Sequence, residues 1–167
     1  MRKKPESSLR ARALQCLARR EYSRAELRTK LLPYVQKADE FELPTDSSGL
    51  SGLDGLLDDL TACGWLSDAR ATTQWVHAKR GRFGTQRIAH ELRQRGITED
   101  LIEAALPALK ESELEAAREV WQRKFGVLPQ DAKEKARQMR FLQSRGFSID
   151  TVLKVFRSVA ASKVGED

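Results

Sequence analysis

Apolar residues return at helical spacing along nearly the whole chain. Leu14, Leu17 and Ala18 form one run, Leu27, Leu31 and Leu32 a second, and Leu53, Leu56, Leu57 and Leu60 a third. Ser23 and Glu26 make a capping-box pattern that opens the second run. Between residues 33 and 52 the periodicity fails, and Pro44, Thr45, Asp46, Ser47, Ser48 and Gly49 predict an acidic, disordered loop there. Helices resume after Ser67 (Ala71, Trp75, Val76) and, past a break at Gly81 and Gly84, through Ile88, Ala89 and Leu92. The next run starts at a Thr98 cap with Leu101 and Ile102 and is predicted to end around 107–109. A second capping-box pattern, Ser112 with Glu115, then predicts a new helix through Ala116, Val120 and Trp121 to Gly126. Two more follow, one carrying Met139, Phe141 and Leu142, the other Ile149, Val152, Leu153 and Phe156. The pattern predicts an all-α chain of eight or nine helices, none long.

One phrase occurs three times: Leu60-x-x-x-Gly64-Trp65-x-x-Asp68, Leu92-x-x-x-Gly96-Ile97-x-x-Asp100 and Leu142-x-x-x-Gly146-Phe147-x-x-Asp150. Leu anchors the last turn of a helix, Gly takes a left-handed cap, an apolar residue tucks back, and a polar cluster starts the next helix. A second marker, an aromatic followed by a small residue, appears as Tyr22-Ser23, Phe83-Gly84 and Phe125-Gly126. Together they predict three tandem three-helix repeats, 8–65 (with the acidic loop 33–52), 66–109 and 112–160, forming an elongated, curved molecule. The competing expectation is one compact helical bundle.

Composition changes this picture little, whereas the distribution of charge changes it more. The 167 residues carry a net charge of +6, but residues 1–30 hold ten bases against three acids and residues 31–68 one base against eight acids. Residues 69–97 hold Arg70, Lys79, Arg80, Arg82, Arg87, Arg93 and Arg95 against Glu91 alone. Such alternation predicts faces of opposite potential that steer an anionic partner to one side. No stretch has the roughly 18 apolar residues of a membrane span, nor does the first segment have an apolar signal core, so no membrane contact and a cytoplasmic location are expected. Cys16 and Cys63 are too few and too distant for a disulfide framework or a metal site, and are expected as buried small hydrophobes.

Material for catalysis is poor. The chain has no P-loop, no nucleophile elbow and no metal-ligand spacing, so neither enzyme chemistry nor a cofactor is expected. His77 and His90 fall on different helices and read as surface or structural residues, and Asp54, Asp58 and Asp59 read as a solvated helix face. The alternative is a free-standing, basic, helix-turn-helix-like DNA-binding protein, because the Leu-x-x-x-Gly corner also builds such readers. Against it, the helix-opening turns hold Asp68, Asp100 and Asp150, which suit the helix dipole and oppose a phosphate backbone. Gly81-Arg82-Phe83-Gly84 has the GxxG form of a loop that clamps nucleic-acid backbones, but that fold needs strands, so a hinge is expected instead.

Several stretches carry a family resemblance. They are Gly64-Trp65-Leu66-Ser67-Asp68-Ala69-Arg70, Gly84-x-x-Arg87-Ile88-x-x-Glu91-Leu92-Arg93-Gln94-Arg95-Gly96, Tyr22-Ser23-Arg24-x-Glu26-Leu27, and Phe141-Leu142-Gln143-x-Arg145-Gly146-Phe147. In these the chain resembles the RecX family over most of residues 9–157. The resemblance implies three tandem three-helix repeats and a non-catalytic modulator of homologous recombination and DNA repair. Such a protein, expected as a monomer, binds the RecA filament on DNA, lodges along its groove, and inhibits RecA ATPase and strand exchange. Non-specific contact with single- or double-stranded DNA is a secondary expectation. The candidate contacts are the basic residues of the middle repeat: Arg70, Lys79, Arg80, Arg82, Arg87, Arg93 and Arg95.

Overall fold

The computed structural model describes residues 8–39 and 49–164, and these are all-helical, with no strand. Eight helices follow in order: α1 (Leu9–Leu17), α2 (Arg24–Asp39), α3 (Gly49–Ala62), α4 (Asp68–Lys79), α5 (Thr85–Gln94), α6 (Glu99–Lys124), α7 (Ala132–Ser144) and α8 (Ile149–Val164).

Their starts are written locally. At α2 the box closes in both directions: the Ser23 N–H donates to Glu26 Oε2 at 3.0 Å, and the Glu26 N–H donates to Ser23 Oγ at 3.1 Å. The hydroxyls of Ser67 and Ser148 accept from the amides of Arg70 and Thr151 at 3.2 Å each. Their ends are written in glycine. Gly64, Gly96 and Gly146 have φ of 77°, 73° and 89°, a region that a side chain disfavours. After α3 the Trp65 N–H returns to the Leu60 carbonyl and the Gly64 N–H to that of Thr61. After α7, Phe147 and Gly146 do the same to Leu142 and Gln143.

The described residues group into two compact units. The first comprises the chain to Thr72 together with Arg95–Ile97. In it α2 packs on α1 and α3, burying Ala13, Leu27, Leu31, Val35, Leu53, Leu57, Leu60 and Leu66. The second comprises Thr73–Gln94 and the chain from Thr98. Here α6 packs on α5, α7 and α8 around Trp121, Leu142, Phe147, Val152, Val155 and Phe156.

Four local expectations fail. Helix α2 continues through Pro33 to Asp39 and α3 begins at Gly49, so both ends of the expected loop are helical; residues 40–48 lie outside the described residues. Leu31 and Val35, on either side of Pro33, are buried, and that burial outweighs the single lost backbone bond. Helix α6 likewise runs 26 residues through Pro107 with no break at 107–112, and the Ser112 hydroxyl donates back to the Ala108 and Leu109 carbonyls instead of capping. Cys63 is exposed because it falls in the turn after α3, and Cys16 is half-buried at the edge of the first core. The 81–84 turn is pinned rather than hinged: the Gly84 N–H donates to the Arg145 carbonyl at 2.9 Å.

Candidate functional site

The seven basic candidates fall into two groups. Arg70, Arg87, Arg93 and Arg95 are engaged by carboxylates within their own units. The Arg70 guanidinium bonds Glu21 at 2.9 Å and the Gly64 carbonyl at 2.8 Å. Arg95, only half-exposed, pairs with Glu26, the same side chain that closes the α2 cap. Arg93 grips Glu99 with two parallel bonds of 2.9 and 2.5 Å, and that hydrogen bonding, aided by the arginine's charge, holds the Glu99 carboxyl below the usual carboxylate range. These guanidinia brace corners or are neutralised on the surface.

The second group lies at the α4–α5 turn. Lys79, Arg80 and Arg82 have no carboxylate within 4.0 Å among the described residues, and Arg80 and Arg82 are exposed. Beside them Phe83 acts as a hub for cations. The Arg87 guanidinium lies 4.2 Å from its ring centre, Lys79 Nζ 5.3 Å and the Arg145 guanidinium 5.4 Å. Arg87 also bonds Glu91 at 3.0 Å, which holds it over the ring. Lys79, Arg87 and Arg145 thus converge on Phe83 at the end of α4, and Arg80 and Arg82 are exposed in the same turn of chain.

Arg145 was not singled out as a contact residue. The available signal is its place in the repeated phrase: Arg145-Gly146 matches Arg95-Gly96, and the Gly84 N–H bond to its carbonyl brings this third-corner arginine beside the Phe83-Gly84 turn. Of the three corner acids, Asp68 is occupied by the backbone. Asp68 Oδ1 accepts the Arg24 N–H at 2.7 Å, satisfying an orphan donor of α2. Glu113 serves α5 in the same way, accepting the Thr85 N–H at 2.9 Å while its other oxygen accepts the Thr151 hydroxyl at 2.9 Å. Asp54, Asp58 and Asp59 are each paired with an arginine, respectively Arg28, Arg24 and Arg10. Both histidines are exposed, and no helix among the described residues is long and apolar enough to cross a membrane. Chemically the Phe83 cluster suits an extended anionic or acidic surface, since it offers converging cations beside an aromatic ring.

Comparison with known proteins agrees along the chain. Residues 67–106 match the model for "RecX, second three-helix domain" and residues 111–156 that for "RecX, third three-helix domain". The chain is 48% identical to the regulatory protein RecX of Leptothrix cholodnii, covering 92% of this chain and 90% of that one. It is 43% identical to that of Chromobacterium violaceum, covering 96% of each. Among solved structures, RecX from Lactobacillus salivarius shares the fold with a TM-score of 0.70 at 15% identity, covering 92% of this chain and 95% of that one.

Proposed function

Because the chain belongs to the RecX family of regulatory, non-catalytic proteins, we propose that it regulates homologous recombination by binding the RecA filament on DNA, slowing RecA ATPase and strand exchange without chemistry of its own. The contact surface is the Phe83 cluster, and the observation that carries this reading is the set of uncompensated cations Lys79, Arg80 and Arg82 beside a cation-ringed aromatic. A cation already held by a carboxylate must lose that partner before it can serve another, whereas these three need lose only water. The filament offers two anionic features to such a patch, acidic protein surface and DNA phosphates.

The test is inhibition of DNA-dependent ATP hydrolysis by RecA. The Lys79→Glu/Arg80→Glu/Arg82→Glu triple variant is expected to need at least tenfold more protein for half-inhibition, with its helical circular dichroism unchanged. Arg93→Gln, which removes a guanidinium already held by Glu99, is expected to inhibit as the parent does. Equal inhibition by the triple variant overturns the assignment of this surface. Absence of inhibition by the parent, joined with tight duplex binding in the absence of RecA, supports the free-standing DNA-binding alternative.

A further inference from the structure

The two kinds of corner dock onto one another, and the chain has one of each left over. In the first unit the Tyr22-Ser23 corner meets Arg95-Gly96-Ile97. Ser23 Oγ donates to the Arg95 carbonyl at 2.5 Å, a Cβ built on Gly96 would lie 2.5 Å from Ala25 Cβ, and Ile97 is 6% exposed. In the second unit the Phe83-Gly84 corner meets Arg145-Gly146-Phe147. The Gly84 N–H donates to the Arg145 carbonyl at 2.9 Å, a Cβ on Gly146 would lie 2.3 Å from Arg87 Cβ, and Phe147 is 1% exposed. In both, an aromatic-small corner seats against a left-handed glycine and covers the apolar residue after it.

The remaining glycine corner is Cys63-Gly64-Trp65. Its backbone is the same, with a positive φ and the same pair of returning bonds, yet no described atom lies within 4 Å of a Cβ on Gly64 and Trp65 is 59% exposed. The remaining aromatic-small corner is Phe125-Gly126, which closes the end of α6 and whose glycine, unlike Gly84, has a positive φ of 67°; the Phe125 ring packs edge-on against Phe141 at 5.4 Å, and Val127 follows at 52% exposure. An indole left in water where the equivalent side chains are covered marks an unfilled seat.

We propose that the Phe125-Gly126-Val127 corner of one copy docks on the Cys63-Gly64-Trp65 corner of the next, so that copies add head to tail. The occupant follows from the fold. Both filled seats are occupied by an aromatic-small corner of this same chain, and the third such corner carries Val127, an apolar side chain suited to cover an indole. Donor and acceptor are two different corners of the chain, so the contact is heterologous and adds copy after copy unless the rotation closes a ring. One corner on one corner buries far less than the roughly 1,200 Å² of a stable complex, so the contact is weak in dilute solution and gains effect where copies are held side by side. It requires neither RecA nor DNA, so it stands or falls apart from the function proposed above.

Covalent trapping tests it. In a Cys16→Ser background, which leaves Cys63 as the one thiol, Val127→Cys places a second thiol at the opposite corner. Mild oxidation at about 100 µM protein is expected to give dimers, trimers and a continuing ladder that collapses on reduction. The same background with Val127 intact is expected to stop at a Cys63-to-Cys63 dimer. Trp65→Ser added to the paired-cysteine variant is expected to weaken the ladder at least fivefold with helicity unchanged. A product that stops at the dimer, or a ladder of equal strength without Trp65, overturns the proposal.

Discussion

A methyl group added at Gly146 would lie 2.3 Å from Arg87 Cβ and 2.6 Å from the Arg87 nitrogen, whereas one added at Gly64 meets nothing within 4 Å among the described residues. Both glycines have positive φ, so alanine costs about 1 kcal/mol at either site through backbone strain. Only at Gly146 does it also push a helix away, an overpacking cost of roughly 1–3 kcal/mol. Gly146→Ala is therefore expected to lower the stability measured by urea unfolding by about 2–4 kcal/mol, and Gly64→Ala, at low micromolar concentration, by about 1. Equal losses would show that the close approach to Arg87 contributes nothing. The glycine corners and the Ser23 cap were legible because each is sealed within a few residues of sequence. The carboxylate of Glu113 on the Thr85 amide was not, for it spans 28 residues. Gln138 was missed for the same reason: it is fully buried, where it accepts the Trp121 indole N–H at 2.7 Å and donates to the Val127 carbonyl at 3.1 Å.

At the scale of elements, proline was the misleading signal. Pro33 and Pro107 fall where the apolar pattern predicts helix ends, and local propensity disfavours proline inside a helix. Tertiary burial decided otherwise, with Ile102 and Leu109 buried on either side of Pro107 and Ala116, Ala117, Val120 and Trp121 buried further along the same helix. Helix α6 thereby runs on between the stretches that match the second and third three-helix domains, 67–106 and 111–156. Its proline is tolerated, not used as a stop. Pro107→Ala restores a backbone donor and removes a ring clash, worth up to about 3 kcal/mol in a helix interior. It also frees the unfolded chain, at a cost of roughly 0.4–1 kcal/mol. The variant is expected to be more stable by about 1–2 kcal/mol in thermal or urea unfolding, with helicity unchanged or slightly raised. A loss of stability would mean that the proline sets a bend on which the packing of α6 against α5, α7 and α8 depends.

At the scale of the whole molecule, blocks of charge along the sequence are partly paired with one another. The acids of α3 lie against the bases of α1 and α2, in pairs joining Arg10 to Asp59, Arg24 to Asp58 and Arg28 to Asp54, so two blocks that look opposed along the chain partly neutralise each other in space. In the block of seven bases, Arg70, Arg87, Arg93 and Arg95 also have carboxylates. Net charge along a sequence cannot reveal this, because pairing depends on which helices become neighbours. Of those seven, Lys79, Arg80 and Arg82 have no carboxylate within 4.0 Å among the described residues, and neither has Arg145, whose guanidinium shares the Phe83 ring with Lys79. Each cation on duplex phosphate releases counterions and contributes about −0.9 to the slope of log K against log salt. Four such contacts predict a slope of about −3.6, a loss of affinity of roughly 150-fold between 50 and 200 mM salt. If the paired cations also served the backbone, all seven with Arg145 would give a slope of about −7, a loss of more than 10⁴-fold over the same range. Duplex binding titrated across salt by fluorescence anisotropy separates the two. A slope near −3.6 that flattens to about −1 in the Lys79→Glu/Arg80→Glu/Arg82→Glu variant identifies the uncompensated turn as the phosphate contact, and a slope near −7 shows that the ion pairs open to bind.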